Sequence, residues 1–354
     1  MIQVLIVEDS PTQRQLLRSI LESDPELKVV GEARHGEEAV KLSRSLRPNI
    51  ITMDIQMPKM NGYEAIRQIM AESPCPIIVL TSTRSDIELG VSYKALETGA
   101  LMVTRKPQGP TINDSEALAL IAQVKTMSQV RVVRRRTAPL QPALPPLPFP
   151  VPSPAPGAGP KRAVGIVALG ASTGGPPALQ MVLSQLPPDF PAPIVVVQHI
   201  STGFVGGLVK WLHDTTPLAV KLAVNGETLA PATVFVAPDH HQMTVSASGY
   251  VWLRQIGPVD GHRPSVTALF NSVAQNYGRR AVGVLLTGMG RDGADGMKAI
   301  YAAGGLTIAQ NQESSVVFGM PKAAIELGAA AEVLPLEQIG HRLRGLTVNK
   351  EIRI

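Results

Sequence analysis

Cysteine is almost absent from this 354-residue sequence, in which Cys75 stands alone. A single cysteine excludes an internal disulfide framework and a multi-cysteine zinc site, and it favours a reducing compartment. The sequence also lacks a run of about 18 apolar residues, so no membrane span is predicted. Met1 leads directly into an apolar strand instead of a signal pattern. We therefore expect a cytoplasmic protein without direct membrane insertion.

Charged residues are scarce, at 17% of the chain against 44% hydrophobic residues. At this length, that composition excludes disorder throughout and predicts two domains, each with its own core. Part of the formal net charge of +5 lies in one cluster beside a proline-rich segment, formed by Arg131, Arg134, Arg135 and Arg136. Without a helix-turn-helix or a basic patch interleaved with aromatics, this cluster favours a basic linker, and no nucleic-acid partner is expected.

Residues 1 to about 122 alternate apolar strands with helical patterns five times. This alternation predicts a parallel sheet covered by helices on both faces, with ligands at the carboxyl ends of the strands. The predicted strands centre on 4–7, 29–30, 50–53, 77–80 and 101–104, and helices are predicted around 14–21, 37–46, 63–70 and 89–96.

Five polar residues follow the strands of this predicted sheet: Glu8, Asp9, Asp54, Thr81 and Lys106. Carboxylates that converge on one crevice repel each other unless a cation joins them, and oxygen ligands suit Mg²⁺. A lysine and a hydroxyl nearby are suitable partners for the oxygens of a transferred phosphoryl group. Any one of these residues alone is better interpreted as a solvated acid or a loop residue. That interpretation does not account for all five at corresponding strand ends.

The same residues, with the segment Met53–Gly62 and Lys106-Pro107, resemble the response-regulator receiver domain. The resemblance implies a flavodoxin-like (βα)5 fold in which Asp54 accepts the phosphoryl group and Glu8, Asp9 and Asp54 hold Mg²⁺. It also implies that Thr81 is the switch hydroxyl and that Lys106 contacts the phosphoryl oxygens. One position departs from the family pattern, because Val103 stands where receivers often carry an aromatic ring.

Residues 125–161 differ in composition from the segments on either side. Ten prolines fall between Pro139 and Pro160, with almost no charge after Arg136. This composition predicts an extended, semi-rigid linker, with a proline-rich docking ligand as the alternative. The predicted domains are therefore 1–124 and 162–354.

A second alternation of strands and helices begins near Ala163. Continuous apolar runs at 164–169, 194–198, 234–237, 282–287, 307–309 and 332–334 predict strands buried on both faces. The spacing between Val245 and Ile256 predicts a hairpin that would add an antiparallel pair to this sheet. The second domain is thus predicted to be doubly wound and mainly parallel.

Three residues at the ends of these strands suggest nucleophilic catalysis. Ser172 lies in the turn Gly170-x-Ser172-x-Gly174, His199 follows the next strand, and Asp292 follows a later one. Serine needs a base to remove its proton, and an acid to orient that base. Singly, a glycine turn or anion-binding loop, a core histidine and a turn aspartate are the commoner interpretations. Backbone N–H groups after Ser172 and near Met289 are candidates for an oxyanion hole.

The remaining histidines lack a comparable placement: His213, His240, His241, His262 and His341. The adjacent pair His240-His241 follows a predicted strand end and is a candidate to border the cleft, but two adjacent histidines alone do not predict a metal site.

The order serine, histidine, aspartate differs from that of the α/β-hydrolases. The second domain instead resembles the catalytic domain of the chemotaxis protein-glutamate methylesterase. The segments that carry the resemblance are Gly170–Gly175, Gln198-His199, His262–Val266, Leu286–Gly293, Ile308–Gln310 and Val317–Pro321. The resemblance implies a Rossmann-like domain in which Ser172, His199 and Asp292 hydrolyse glutamate methyl esters, and in which Thr173 and Met289 line the oxyanion hole. Deamidation of glutamines is a further implied activity.

The partners implied are methylated chemoreceptor cytoplasmic domains and a chemotaxis histidine kinase as phosphodonor, with the chain itself a monomer. No cofactor is implied for the esterase chemistry. Two alternatives remain open from the residues: a response regulator whose second domain binds a ligand without catalysis, and a DNA-binding regulator that uses the arginine cluster.

Overall fold

The computed structural model describes residues 1–82, 93–107, 115–130, 132 and 164–347, which form two α/β domains. Each contains a parallel sheet with helices against it, so the predicted fold class is confirmed. The domain boundaries stay a prediction. The helix that begins at Ser115 continues to Met127, three residues into the predicted linker, and most of that linker lies outside the described residues.

The sheet of the N-terminal domain has five strands in the order β2-β1-β3-β4-β5, all parallel. This is the flavodoxin-like order, which brings the ends of β1, β3, β4 and β5 to one edge. The strands are almost wholly apolar because helices cover both faces of the sheet. They are β1 (Ile2–Val7), β2 (Leu27–Ala33), β3 (Ile50–Asp54), β4 (Ile77–Thr81) and β5 (Met102–Arg105).

The helices of this domain begin where the local sequence supplies a cap. Ser10 accepts a hydrogen bond from the N–H of Gln13 at 3.4 Å, and Pro11 opens α1. The helix predicted over 89–96 is described only from residue 93. The helices are α1 (Pro11–Glu22), α2 (Gly36–Leu46), α3 (Gly62–Glu72), α4 (residues 93–98) and α5 (Ser115–Met127).

The C-terminal domain has a parallel sheet of seven strands in the order β14-β13-β12-β6-β7-β9-β8. Strand β6 lies between β12 and β7, so the chain order reverses there and opens a crevice at its carboxyl end. The strands are β6 (Ile166–Ala171), β7 (Ile194–Gln198), β8 (Ala219–Leu222), β9 (Thr233–Val236), β12 (Ala281–Leu285), β13 (Leu306–Gln310) and β14 (Glu332–Leu334).

Within residues 164–347 the α-helices that accompany this sheet are α6 (Gly175–Ser184), α7 (Val205–Thr215), α8 (Val266–Tyr277), α9 (Ala294–Ala302), α10 (Met320–Glu326) and α11 (Leu336–Thr347). Within the described ranges of both domains, none of the helices combines the length and the apolar character needed to cross a membrane.

The predicted hairpin exists but does not join the parallel sheet, so that part of the prediction is wrong. Strands β10 (Gln242–Val245) and β11 (Val251–Arg254) form a separate antiparallel pair. Helix α8 holds the hairpin through side chains: the Ser272 hydroxyl accepts from Val245 N at 3.1 Å, and the Asn276 amide donates to Val245 O at 3.1 Å. One edge of the seven-stranded sheet is β8, a strand that the sequence pattern does not predict because it is short and only partly buried.

The two domains pack against each other through α4 and α7. The rings of Tyr93 and Trp211 stack with centroids 5.8 Å apart, and the Trp211 indole N–H donates to Glu97 Oε1 at 2.8 Å. The Arg105 guanidinium, at the end of β5, lies 5.5 Å from the centroid of the Phe204 ring. The α4–β5 side of the N-terminal domain therefore faces the C-terminal domain.

Candidate functional site

Ser172 follows the last residue of β6 directly, at the crevice between β12 and β7. The turn after it needs glycine, because Gly174 has a φ of +75° where α6 begins. Across the crevice, a Cβ on Gly288 would lie 2.7 Å from the Cβ of Ser172. Two glycines therefore permit the tight turn and the close approach of the 286–290 loop to the serine.

His199 is placed beside Ser172 by main-chain contacts between β6 and β7. Its N–H donates to Ala171 O at 2.9 Å. The buried Gln198 side chain bridges the two strand ends, since its Nε2 donates to Ser172 O at 2.7 Å and to His199 O at 2.8 Å. The serine and histidine predicted from the sequence therefore lie on adjacent strand ends.

The imidazole of His199 is paired with Asp292, whose Oδ2 lies 2.8 Å from Nε2. The other ring nitrogen, Nδ1, is buried and has no hydrogen-bonding partner among the described residues. Ser172 and His199 line one cavity of about 310 Å³. The histidine thus has one nitrogen engaged by a carboxylate and one without a hydrogen-bonding partner among the described residues.

Asp292 is fully buried and is held as a carboxylate by the start of α8. Its oxygens accept hydrogen bonds from the Ser265 hydroxyl at 2.8 Å, Val266 N at 2.7 Å and Thr267 N at 2.9 Å. Burial acts to raise the pKa of Asp292, but the hydrogen bonds from His199, Thr267 and Val266 outweigh it and hold the pKa well below its usual range. Asp292 is therefore a fixed negative charge that orients His199.

The predicted oxyanion residues, Thr173 and Met289, lie on the two loops that flank Ser172. Thr287, two residues before Met289, ties these loops together because its hydroxyl donates to Thr173 O at 2.9 Å. The N–H of Thr287 donates to the buried Gln310 Oε1 at 2.7 Å, which fixes the Thr287 main chain. None of the described residues accepts a hydrogen bond from the N–H of Thr173 or of Met289. Both donors are available to an oxyanion, and the assignment stays a prediction.

His262 is the residue of this site that the sequence interpretation missed. Its ring stacks on that of His199, with centroids 3.9 Å apart and planes 7° from parallel. The expectation that the other histidines lack a comparable placement is therefore wrong for His262. The signal was its position three residues before Ser265, the cap of the helix that holds Asp292, but nothing in sequence spacing indicated the ring contact.

The acidic residues predicted at the edge of the N-terminal sheet do converge. Ligand atoms of Glu8, Asp9 and Asp54 lie within 4.8 Å of one another. Lys106 Nζ lies 2.7 Å from Asp54 Oδ2 and 2.8 Å from Glu8 Oε2. Three carboxylates at this separation fit a hard divalent cation such as Mg²⁺.

Burial determines the electrostatics of this acidic cluster. Glu8 is nearly inaccessible, and burial raises its pKa above the usual value against the opposing effect of Lys106. Burial acts to lower the pKa of Lys106, but the Asp54 and Glu8 carboxylates outweigh it and raise the pKa. The lysine is therefore held as a cation beside Asp54.

The two remaining positions of interest in this domain are Thr81 and Val103. Thr81 ends β4 and is buried, and its carbonyl accepts from Lys106 N at 2.9 Å. Val103, which stands at the position of the usual aromatic ring, lines the same cavity as Ser172 and His199. Tyr93, Met102 and Gln123 also line it, so the N-terminal domain forms one wall of the cavity that contains the serine.

Two family models match the chain, one for each domain. Residues 167–343 match the family model described as CheB methylesterase, and residues 4–112 match the model of the response regulator receiver domain. The N-terminal match spans the acidic cluster and Lys106, and the C-terminal match spans Ser172, His199 and Asp292.

Several curated relatives align over nearly the whole chain. A protein-glutamate methylesterase/protein-glutamine glutaminase of Nitrosospira multiformis is 47% identical over 99% of this chain and 98% of its own length. A protein of the same description from Myxococcus xanthus is 48% identical over 97% of this chain and 96% of its own. The crystal structure of the Thermotoga maritima CheB methylesterase catalytic domain covers 52% of this chain and 100% of its own, with a TM-score of 0.51 and 41% identity.

Proposed function

The chain belongs to the CheB methylesterase family, and from that membership we propose that it removes methyl esters from glutamate side chains of chemoreceptors under the control of its receiver domain. It is a carboxylic ester hydrolase, and its relatives are described as protein-glutamate methylesterase/protein-glutamine glutaminase. The observation that carries the proposed mechanism is the His199–Asp292 pair beside Ser172 in one cavity.

In the proposed reaction, Ser172 Oγ attacks the γ-carbonyl carbon of a methylglutamate while Nδ1 of His199 takes the hydroxyl proton. Asp292 stabilises the imidazolium through Nε2. The N–H groups of Thr173 and Met289 stabilise the oxyanion of the tetrahedral intermediate. The intermediate collapses with return of the proton to the leaving oxygen, which departs as methanol and leaves an acyl-enzyme on Ser172.

Hydrolysis of the acyl-enzyme completes the cycle. Water adds to the acyl carbon as His199 again takes a proton, and collapse of the second intermediate returns that proton to Ser172 Oγ and releases glutamate. A glutamine side chain enters the same sequence with ammonia as the leaving group. Deamidation therefore needs no residue beyond those of the esterase.

Control by phosphorylation is the second part of the proposal. In this proposal the receiver accepts a phosphoryl group at Asp54 from a chemotaxis histidine kinase, and Glu8, Asp9 and Asp54 are the residues that would hold Mg²⁺. Bound Mg²⁺ would neutralise charge on the transferring group. Thr81 and Lys106 then contact the phosphoryl oxygens, and Lys106 must exchange its present carboxylate partners for them.

The regulatory mechanism we infer is a shift between closed and open pairs of domains. Receiver residues Tyr93, Val103 and Gln123 line the cavity that contains Ser172, which supports a closed form in which the receiver obstructs access for a receptor helix. Rearrangement at Asp54 and Lys106 would weaken this packing through β5, whose end carries Arg105 against Phe204.

The test is methanol release from membranes that carry methylated receptors. Wild type is compared with Ser172→Ala and with Ser184→Ala, a control at the exposed far end of α6. We expect loss of release only for Ser172→Ala. Equal release by wild type and Ser172→Ala would contradict the serine mechanism, and loss of activity on removing residues 1–125 would contradict inhibition by the receiver.

A further inference from the structure

His262 stacks face to face on the ring proposed as the general base. The ring centroids of His199 and His262 lie 3.9 Å apart, and the planes differ by 7°. His262 is partly buried, and it reaches His199 from the segment that precedes α8 instead of from a strand end. Parallel stacking restricts rotation of a ring about the bond that joins it to its side chain.

The main chain of His262 is fixed independently of the ring contact. His262 and Val259 exchange two hydrogen bonds, at 2.9 and 3.0 Å. The fully buried Gln242 side chain donates to His262 O at 2.8 Å and accepts from Ser265 N at 2.8 Å. The segment that holds Asp292 through Ser265 therefore also presents the ring of His262.

His199 needs such a restraint because only one of its ring nitrogens is engaged by the protein. Nε2 pairs with Asp292, and Nδ1 has no partner among the residues that the structure describes. One hydrogen bond does not by itself fix the rotation of the ring about its Cβ–Cγ bond, and that rotation sets the direction of Nδ1. A planar neighbour on one face restricts this rotation without engaging Nδ1 in a hydrogen bond.

We propose that His262 is a positioning residue, which holds the plane of the His199 imidazole so that Nδ1 is directed at Ser172. This inference rests on the proposed role of His199 as base. It assigns to His262 a function through its ring surface, with no hydrogen bond or proton transfer by its own nitrogens.

The charges around His262 agree with that assignment. The titratable groups that act on the His262 ring are His199, Asp292 and Asp260. The neighbouring Arg263 guanidinium is directed elsewhere and donates to Ile256 O. Burial, followed by the neighbouring His199, lowers the pKa of His262 despite the two carboxylates. A neutral ring places no second positive charge against His199 when His199 takes the serine proton.

The test compares His262→Ala, which removes the ring, with His262→Phe, which keeps a planar surface but no nitrogen. We expect His262→Ala to lower kcat by about 10- to 100-fold, because small misplacement of a reacting group has effects of this size, with KM nearly unchanged. We expect His262→Phe to restore most of the lost kcat. His341→Ala, on the exposed face of α11, is the control.

Three outcomes would overturn the proposal. A His262→Ala enzyme with the kcat of wild type would show that the stack is unnecessary. A rise in KM at constant kcat would make His262 a substrate contact. A His262→Phe enzyme as slow as His262→Ala, with the thermal unfolding of wild type, would assign the role to the imidazole nitrogens.

A second readout does not depend on turnover of a receptor ester. The rate at which a fluorophosphonate modifies Ser172 depends on removal of the serine proton, so His262→Ala is expected to slow it and His262→Phe to restore it. If Ser172→Ala still hydrolyses the receptor ester as fast as wild type, the proposed roles of Ser172 as nucleophile and of His199 as its base fail. If Ser172→Ala is inactive and His262→Ala is unimpaired in both assays, only the positioning role fails.

Discussion

The indole of Trp211 contacts two residues of the same receiver helix: its ring stacks on Tyr93, and its N–H donates to Glu97 Oε1 at 2.8 Å. Tyr93 and Trp211 are both buried, at 1% and 3% exposure, so this contact excludes water at the junction of the two domains. In a protein whose receiver is proposed to obstruct the Ser172 cavity, such a contact stabilises the closed form.

We predict that Trp211→Phe raises the basal esterase activity of the unphosphorylated enzyme. The substitution keeps an aromatic ring against Tyr93 but removes the hydrogen bond to Glu97. A hydrogen bond to a charged group contributes about 1.5–3 kcal/mol, so an enzyme that is mostly closed should gain roughly 10- to 100-fold in basal rate. The measurement is methanol release without phosphodonor. Unchanged basal release, with normal thermal unfolding, would argue against this contact as a closing element.

Asp54→Asn should abolish stimulation by a phosphodonor while leaving the basal rate close to that of wild type. An amide accepts no phosphoryl group from the donor, and Asp54 lies in the other domain from Ser172. The assay is methanol release with and without acetyl phosphate in the presence of Mg²⁺. Stimulation of the Asp54→Asn enzyme equal to that of wild type would place the phosphoryl acceptor elsewhere.

Removal of divalent metal should distinguish the function of the receiver from that of the esterase domain in the same assay. The cluster of Glu8, Asp9 and Asp54 lies in the receiver, and the esterase chemistry proposed for Ser172 uses no metal. We therefore predict that a chelator eliminates the stimulation by acetyl phosphate and leaves basal methanol release unchanged. Added Mg²⁺ should restore stimulation. Loss of the basal rate on chelation would require a metal in the esterase reaction.

Ser265→Ala is predicted to impair both stability and catalysis. Ser265 caps α8 by accepting from Ala268 N at 3.3 Å, and its hydroxyl donates to Asp292. Loss of an N-cap costs about 1 kcal/mol, and loss of the hydrogen bond to Asp292 should lower kcat by about tenfold.

The matched control for Ser265→Ala is Ser10→Ala, which removes the cap of α1 in the receiver. Both variants should unfold at lower temperature, but only Ser265→Ala should lose kcat. An equal loss of kcat in both would show that the effect of Ser265 comes from stability alone.

Cys75 is predicted to react with thiol reagents only after the receiver unfolds. It is 4% exposed, its Sγ donates to Pro48 O at 3.2 Å, and burial raises its pKa from 9.0 to about 12. The folded state therefore retains this proton more tightly, so its contribution to stability is complete below pH 9 and is lost as the pH rises toward 12.

Labelling of Cys75 at pH 8 should be slow in buffer and fast in urea, with Cys75→Ala as the blank. The pH dependence of unfolding above pH 9 should be weaker in Cys75→Ala than in wild type. Rapid labelling of the native enzyme would contradict the burial of this thiol.

The convergence of residues that follow strands could be predicted, because it depends only on the order of strands along the chain. Apolar runs predict strands, parallel strands share one edge, and the residues after them must converge there. Glu8, Asp54 and Lys106 meet for this reason, and so do Ser172 and His199. The hairpin was predicted in type but not in place, since local spacing does not reveal that α8 supplies the partners for β10.

The sequence by itself therefore determined the two α/β domains, the acidic cluster and the serine, histidine and aspartate of the proposed esterase site, because each depends on local pattern and strand order. Only the tertiary structure decided which rings touch. His262 reaches His199 from a loop, and Tyr93 reaches Trp211 across a domain boundary. Such contacts depend on the relative placement of elements distant in sequence, which hydrophobic periodicity does not encode.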